Sequence, residues 1–254
     1  MISAVILTKN ESDNIADCLK SLNWCSEIVI VDDLSADGTV DVIERLKDEF
    51  KKNGTVIRIY KRSLNADFSA QRNFAMSKVN NEWILFIDAD ERVPELLKDE
   101  ILKRMNGLSD FAGFFIKRRD YFYNKPLLHG ETAGLKFIRL ARLNTGLWQG
   151  RVHEIWKIKG KTDVFQNHLD HFPHKNVAGF LSKINRYSDY VAQSWKEQGR
   201  SISSWQILIY PVIKFINNYI VKLGFLDGVP GLIMAVMMSF HSFLVRGKYL
   251  TRYQ

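Results

Sequence analysis

Residues 83–92 read WILFIDADER. Trp83, Ile84, Leu85, Phe86 and Ile87 form an unbroken apolar run, and then two carboxylates follow one residue apart. An apolar run of this length, closed by polar residues, fits a strand buried on both faces. Outward from it the pattern repeats. SAVILT (3–8), EIVIVDD (27–33) and TVIRIYKR (55–62) read as further strands. Between them, NESDNIADCLKSL (10–22), SADGTVDVIERLKDEF (35–50) and DFSAQRNFAMSKV (67–79) carry apolar residues at helical spacing, with Ser12 or Asn10 expected to cap the first helix. Strand and helix in strict alternation predict an α/β fold: a mostly parallel sheet with helices on both faces. In such sheets ligands bind beyond the carboxyl ends of the strands. Asp32, Asp33, Asp88 and Asp90 are therefore expected along one edge.

In an extended segment, residues i and i+2 point to the same side. Asp88 and Asp90 on one side favour a divalent cation, since Mg²⁺ and Mn²⁺ prefer oxygen ligands and bridge carboxylates to phosphates. Asp32 and Asp33 fit either a second metal pair or recognition of a base or ribose. Arg72 on the third helix could clamp a diphosphate. No GxGxxG and no GxxxxGK[ST] occurs, so the Rossmann and P-loop fingerprints are missing.

The 254 residues suit one α/β domain with an extension. Cys18 and Cys25 form no metal or disulfide spacing and are expected as reduced, buried thiols. The N-terminus lacks the basic stretch of a signal peptide, which points to a cytoplasmic protein. The net charge of +8 is uneven. Residues 1–108 hold 15 Lys/Arg against 19 Asp/Glu, and residues 109–254 hold 21 against 9. A basic second half suits an anionic surface or acceptor.

Taken together, ILTKNESDNI, EIVIVDDLSADGT, SAQRNFA and FIDADE resemble the family 2 glycosyltransferases of GT-A fold. Within them, GLWQGRVHE and HLDHFPH followed by FLSKINRYSDY resemble small bacterial lipopolysaccharide-core β-1,4-glucosyltransferases. The resemblance implies an inverting transfer of a hexose, such as glucose, from a UDP-sugar to a cell-envelope glycolipid or saccharide, assisted by Mg²⁺ or Mn²⁺. It puts Thr8, Asn10, Glu11, Asp32 and Asp33 at the nucleotide, and Arg72 at the diphosphate. Asp88 and Asp90 match the DxD motif, near the ribose and on the metal, and His171 is the candidate third metal ligand. Many members carry the base in an ED motif, which this chain lacks after DxD; the base is assigned to Glu154 in RVHE, with His153 beside it at the acceptor.

The chain divides by this reading into 1–108 for the donor, 109–200 for the acceptor and 201–254 as an apolar helical tail. Between Ser201 and Val245 the charged residues are Lys214, Lys222 and Asp227 alone. Two amphipathic helices lying on the inner face of the cell membrane fit this composition better than a span or a soluble hairpin. Nucleic acid is not an expected partner. The competing class is a non-catalytic module binding anionic lipid or saccharide on the same fold.

Overall fold

The computed structural model describes residues 1–65, 67–106, 110–150, 154–174 and 176–253, with the side chain of residue 106 left aside. By compactness the chain divides into two units, Met1–Arg118 with Leu135–His171, and Arg119–Gly134 with Phe172–Gln254.

The first unit begins with the expected alternation: β1 (Ile2–Thr8), α1 (Ile15–Lys20), β2 (Glu27–Asp32), α2 (Thr39–Lys52), β3 (Val56–Lys61), α3 (Phe68–Met76) and β4 (Trp83–Asp88). Then come β5 (Glu91–Arg92), α4 (Glu95–Asn106), β6 (Phe111–Phe122), β7 (Lys125–Pro126), β8 (Lys136–Arg142), β9 (Gly146–Gln149), β10 (Ile155–Ile158) and β11 (Lys161–His174). The unit boundary falls within β6 and β11. Among the described residues the large sheet runs β3-β2-β1-β4-β8-β6-β11-β5. Its first four strands are parallel, and β8 pairs antiparallel with both β4 and β6.

Alternation along the parallel strands sorts side chains to two cores. Ala4, Ile6, Ile28, Ile30, Leu85 and Ile87 face α1, α2 and α4 through Ile15, Leu19, Ile43 and Leu97. Val5, Val29, Val31, Ile84 and Phe86 face the other way, onto Ala75 and Met76 of α3 and onto Trp148 and Trp156 of the β9–β10 hairpin. Both faces are dry, so the strands are apolar throughout. The helix caps differ from expectation. Asn14 occupies the N-cap position of α1 without a side-chain capping hydrogen bond, and Asn10 adopts a left-handed conformation with φ of 55°.

In the second unit, α5 (Val177–Glu197), α6 (Gln206–Ile216) and α7 (Gly228–Tyr253) follow, with a π-helical turn (Asn217–Val221) and a 3₁₀ turn (Gly224–Asp227) before α7. Phe122, Leu127, Phe180, Ile184, Met234 and Met237 form its core. Asp227 fixes the segment before α7: it accepts from the backbone N–H of His129 at 2.9 Å and lies 2.8 Å from that residue's Nδ1. The stretch Gly224–Tyr253 is long and apolar enough to cross a membrane, and a third of its most apolar window is buried.

Candidate active site

Register places the acidic strand ends side by side. Thr8 lies opposite Asp32, and Leu7 lies opposite Asp88. Asp32 is fully buried; its Oδ2 accepts from the Ser35 N–H at 2.9 Å, while Oδ1 has no hydrogen-bond partner among the described residues. The neighbouring Thr8 hydroxyl is buried and likewise unpartnered. A buried carboxylate oxygen without a donor is costly unless something else supplies one. Asp33 is satisfied: Lys9 Nζ donates to it at 2.7 Å and the Leu64 N–H at 2.8 Å.

Two loops above these strands are stitched together. Asn10 Oδ1 accepts from the Ala36 N–H at 2.8 Å, and the Glu11 N–H donates to Thr39 Oγ1 at 2.8 Å. Glu11 itself accepts from Asn14 at 2.6 Å. Asp37 accepts from the Ser12 and Thr39 N–H groups, both at 3.0 Å. Partial desolvation raises the Asp37 carboxyl, but the hydrogen bonds from Thr39 and Ser12 outweigh it and bring the group down to about 2. Gly38, with φ of +87°, provides the left-handed turn into α2.

The expectation that Asp88 and Asp90 share one side requires an extended chain. The chain instead turns at Ala89–Asp90 before β5, and the two carboxylates acquire different partners. Asp88 Oδ1 accepts from Arg72 Nη2 at 3.1 Å, and Oδ2 from Arg139 Nη2 at 2.8 Å. Asp90 Oδ2 lies 3.4 Å from His171 Nε2, on β11 opposite Glu91. Among the described residues no three His, Cys, Asp or Glu side chains stand where they could hold a metal ion. Asp90 and His171 offer one oxygen and one nitrogen, donor types that a divalent cation such as Mn²⁺ would accept.

Arg72 is the hub. It is buried, though a helical arginine is usually solvated. Its Nε donates to Glu154 Oε1 at 3.1 Å, its guanidinium carbon lies 4.5 Å from the Trp148 ring centroid, and Nη1 has no hydrogen-bond partner among the described residues. Asn73 exchanges two 3.0 Å hydrogen bonds with the Trp148 backbone, which fastens α3 to the hairpin that precedes and follows Glu154. His153 lies outside the described residues.

The pattern of the sequence did not point to Arg139. Its Nη2 also donates to Glu91 at 2.6 Å, and Glu91 Oε2 accepts the Asp88 N–H at 2.8 Å. Glu154, Arg72, Asp88, Arg139 and Glu91 thus form one chain of three carboxylates and two guanidinia. Burial favours the neutral form of Asp88, but Arg139 and Arg72 overcome it and hold its carboxyl well below the usual range. Glu91 is fully buried and shares its one guanidinium with Asp88; desolvation, with the Asp88 charge added and Arg139 opposing, pushes it up to about 7. The thiols of Cys18 and Cys25 are free, buried and pushed up by burial, as inert structural groups should be.

The family model described as Glycosyl transferase family 2 matches residues 3–155. A curated relative, the lipopolysaccharide core biosynthesis glycosyltransferase LpsC of Rhizobium meliloti (strain 1021), is 27% identical over 255 residues, covering 99% of this chain and 93% of its own. The glycosyltransferase SunS of Bacillus phage SPbeta is 35% identical over 155 residues, 60% of this chain and 34% of its own. Among solved structures, the mannosyltransferase PcManGT of Pyrobaculum calidifontis, in complex with GDP-Man and Mn²⁺, aligns with a TM-score of 0.55 at 14% identity, covering 100% of this chain and 88% of its own. The fold is GT-A-like.

Proposed function

This chain belongs to glycosyl transferase family 2, and we propose that it moves a hexose, with inversion, from a UDP-sugar to a hydroxyl of a cell-envelope glycolipid or lipopolysaccharide-type saccharide. One observation carries the donor assignment: three buried polar groups without partners among the described residues, Thr8 Oγ1, Asp32 Oδ1 and Arg72 Nη1, belong to the elements that meet at the carboxyl edge of the sheet. Asp32 Oδ1 is an acceptor that suits a ring N–H or a ribose hydroxyl, and Arg72 Nη1 is a donor that suits a phosphate oxygen. Asp33, locked by Lys9, shapes the floor beneath the base.

Asp90 and His171 would hold Mg²⁺ or Mn²⁺. When bound, the cation supplies neutralising charge for the departing diphosphate. Arg72 adds a second positive charge beside it, and Asp88 orients Arg72 by accepting its Nη2–H. The acceptor oxygen attacks the anomeric carbon on the face opposite the diphosphate, the new C–O bond forms as the sugar–phosphate bond breaks, and the acceptor proton passes to Glu154. Arg72 orients Glu154 for that role, its Nε donating to Glu154 Oε1 at 3.1 Å.

The acceptor class rests on similarity to LpsC and on the tail. Trp205, Leu208, Ile209, Val212, Ile213 and Ile216 are exposed along one short helix and its lead-in. An apolar surface of that extent suits an interfacial helix at the cytoplasmic face of the membrane. In this proposal residues 1–108 serve the donor, 109–200 the acceptor and 201–254 the membrane. Incubating the full chain with a panel of UDP-, GDP- and dTDP-sugars, with and without a truncated glycolipid acceptor, tests it. Release of one nucleoside diphosphate that depends on acceptor supports the reading; no turnover of any donor, with Glu154→Gln indistinguishable from the parent, contradicts it.

A further inference from the structure

In the second unit a cavity of about 520 Å³ opens between α5, α6 and α7. Its walls are apolar, from Val191, Ile213, Ile216, Val221, Met238 and Val245. Among the residues lining it are three with cationic or protonatable heads, Lys214, His241 and Arg246, and no Asp or Glu. Arg246 lies over Tyr210, 4.1 Å from its centroid, and 5.3 Å from that of Trp195. Its Nη1 donates to Ser242 Oγ at 2.7 Å, while Nε, like Nε2 of His241, is buried with no hydrogen-bond partner among the described residues. Lys214 is paired with Glu131, which leaves Arg246 as the main uncompensated charge at the cavity. Nearby, Lys248 and Arg252 are paired with Asp189, at 2.9 and 2.6 Å.

An open, largely apolar recess with an unmatched guanidinium N–H and a net positive wall disfavours a sugar, whose hydroxyls would be desolvated against apolar side chains, and a plain hydrocarbon, which would leave that donor unpaired. We propose that this cavity binds one anionic membrane phospholipid, its acyl chain between α6 and α7 and its phosphate on Arg246 and His241. The proposal rests on the reading of the tail as membrane-facing and adds a discrete, headgroup-selective site to it. Charge complementarity and the surrounding surface both fit this occupant. Leu208 and Val221, 71% and 67% exposed, extend the apolar lining outward as a bilayer-inserted helix requires.

Trp195 lines the cavity, so it reports occupancy. In a Trp205→Phe background, lysophosphatidylglycerol carrying bromine on its chain is titrated below its micellar concentration. Saturable quenching of tryptophan fluorescence is expected, absent when Trp195→Phe is added. The monoacylglycerol with the same brominated chain, which lacks the phosphate, should bind about tenfold more weakly, as one unopposed cation implies, and Arg246→Gln should erase that preference. Ile213→Phe, which narrows the cavity from a half-exposed position without adding a tryptophan, should abolish quenching of Trp195 by either lipid while leaving UDP binding intact. Equal affinity for the two headgroups, no quenching by the anionic lipid, or displacement by glycerol phosphate as tight as by the lipid would each overturn the site. Loss of UDP binding with lipid binding retained would instead strike at the transferase reading alone, and anionic vesicles that sediment the chain with no Trp195 quenching would leave membrane association standing without this cavity.

Discussion

Replacing Glu91 by Gln should make the protein relatively more stable as pH rises. Glu91 is 0% exposed and competes with Asp88 for Arg139. Three carboxylates share two guanidinia in that chain, so one proton is best retained, and the deepest carboxyl retains it. Its carboxyl moves from 4.5 in an open chain to about 7 in the fold. A raised acid favours the fold's protonated form, so stability is intact below 4.5 and is lost as pH rises toward 7. Between pH 5 and pH 8 the loss amounts to roughly 2–3 kcal/mol. Gln keeps one acceptor oxygen, for the Asp88 N–H or for Arg139 but not for both, a loss that is the same at every pH, and it has no proton to lose. Urea unfolding of both proteins at pH 5, 6, 7 and 8, in EDTA, gives the difference in stability directly, and every other titration cancels. The difference should shift in favour of the variant by about 2–3 kcal/mol across that range. A difference constant to within about 0.5 kcal/mol would mean that Glu91 stays ionised throughout, paired with Arg139, and would refute the shared-proton argument.

Arg72→Gln removes the donor that Asp88 and Glu154 share; nucleotide affinity should fall at least about tenfold, and titration calorimetry with UDP checks it. A Cβ on Gly146 would sit 1.8 Å from the Lys157 carbonyl oxygen, so Gly146→Ala must displace backbone in the β9–β10 hairpin. A loss of about 1–3 kcal/mol in thermal unfolding is expected, together with slower transfer, because Glu154 enters β10 directly. Asp37, held near 2, stabilises the loop above the open-chain value of 3.8 and ceases to do so as pH falls toward 2. The stability gap between the parent and Asp37→Asn should therefore close over that window, and a gap unchanged at pH 2.5 would remove Asp37 from the loop's support.

The alternating strands and helices were legible because a sheet buried on both faces leaves apolar runs in the sequence, and the second and fourth of those runs end on acids. Asp32, Asp88, Arg72 and Glu154, far apart along the chain, fall at one edge once the register is known. What was illegible depends on a single turn and a single buried cation. Residues 88–90 read as extended, but Ala89–Asp90 turns, and that sends Asp88 to arginines and Asp90 to His171. Arg139 lies between Ile138 and Leu140 in an apolar strand, and that placement was the available signal for a buried ion pair. The loop contacts of Asn10 and Glu11 use backbone N–H groups, which no side-chain pattern records.

The most direct measurement is isothermal titration of UDP, UDP-glucose, GDP-mannose and dTDP into the full chain, with Mn²⁺ and then with EDTA, alongside Asp90→Ala. The donor-site account predicts metal-dependent binding of UDP and its sugar, lost in EDTA and lost in the variant, while Asp90→Ala remains folded. Binding of no nucleotide in the presence of Mn²⁺, or binding equally tight in EDTA and in the variant, would contradict it.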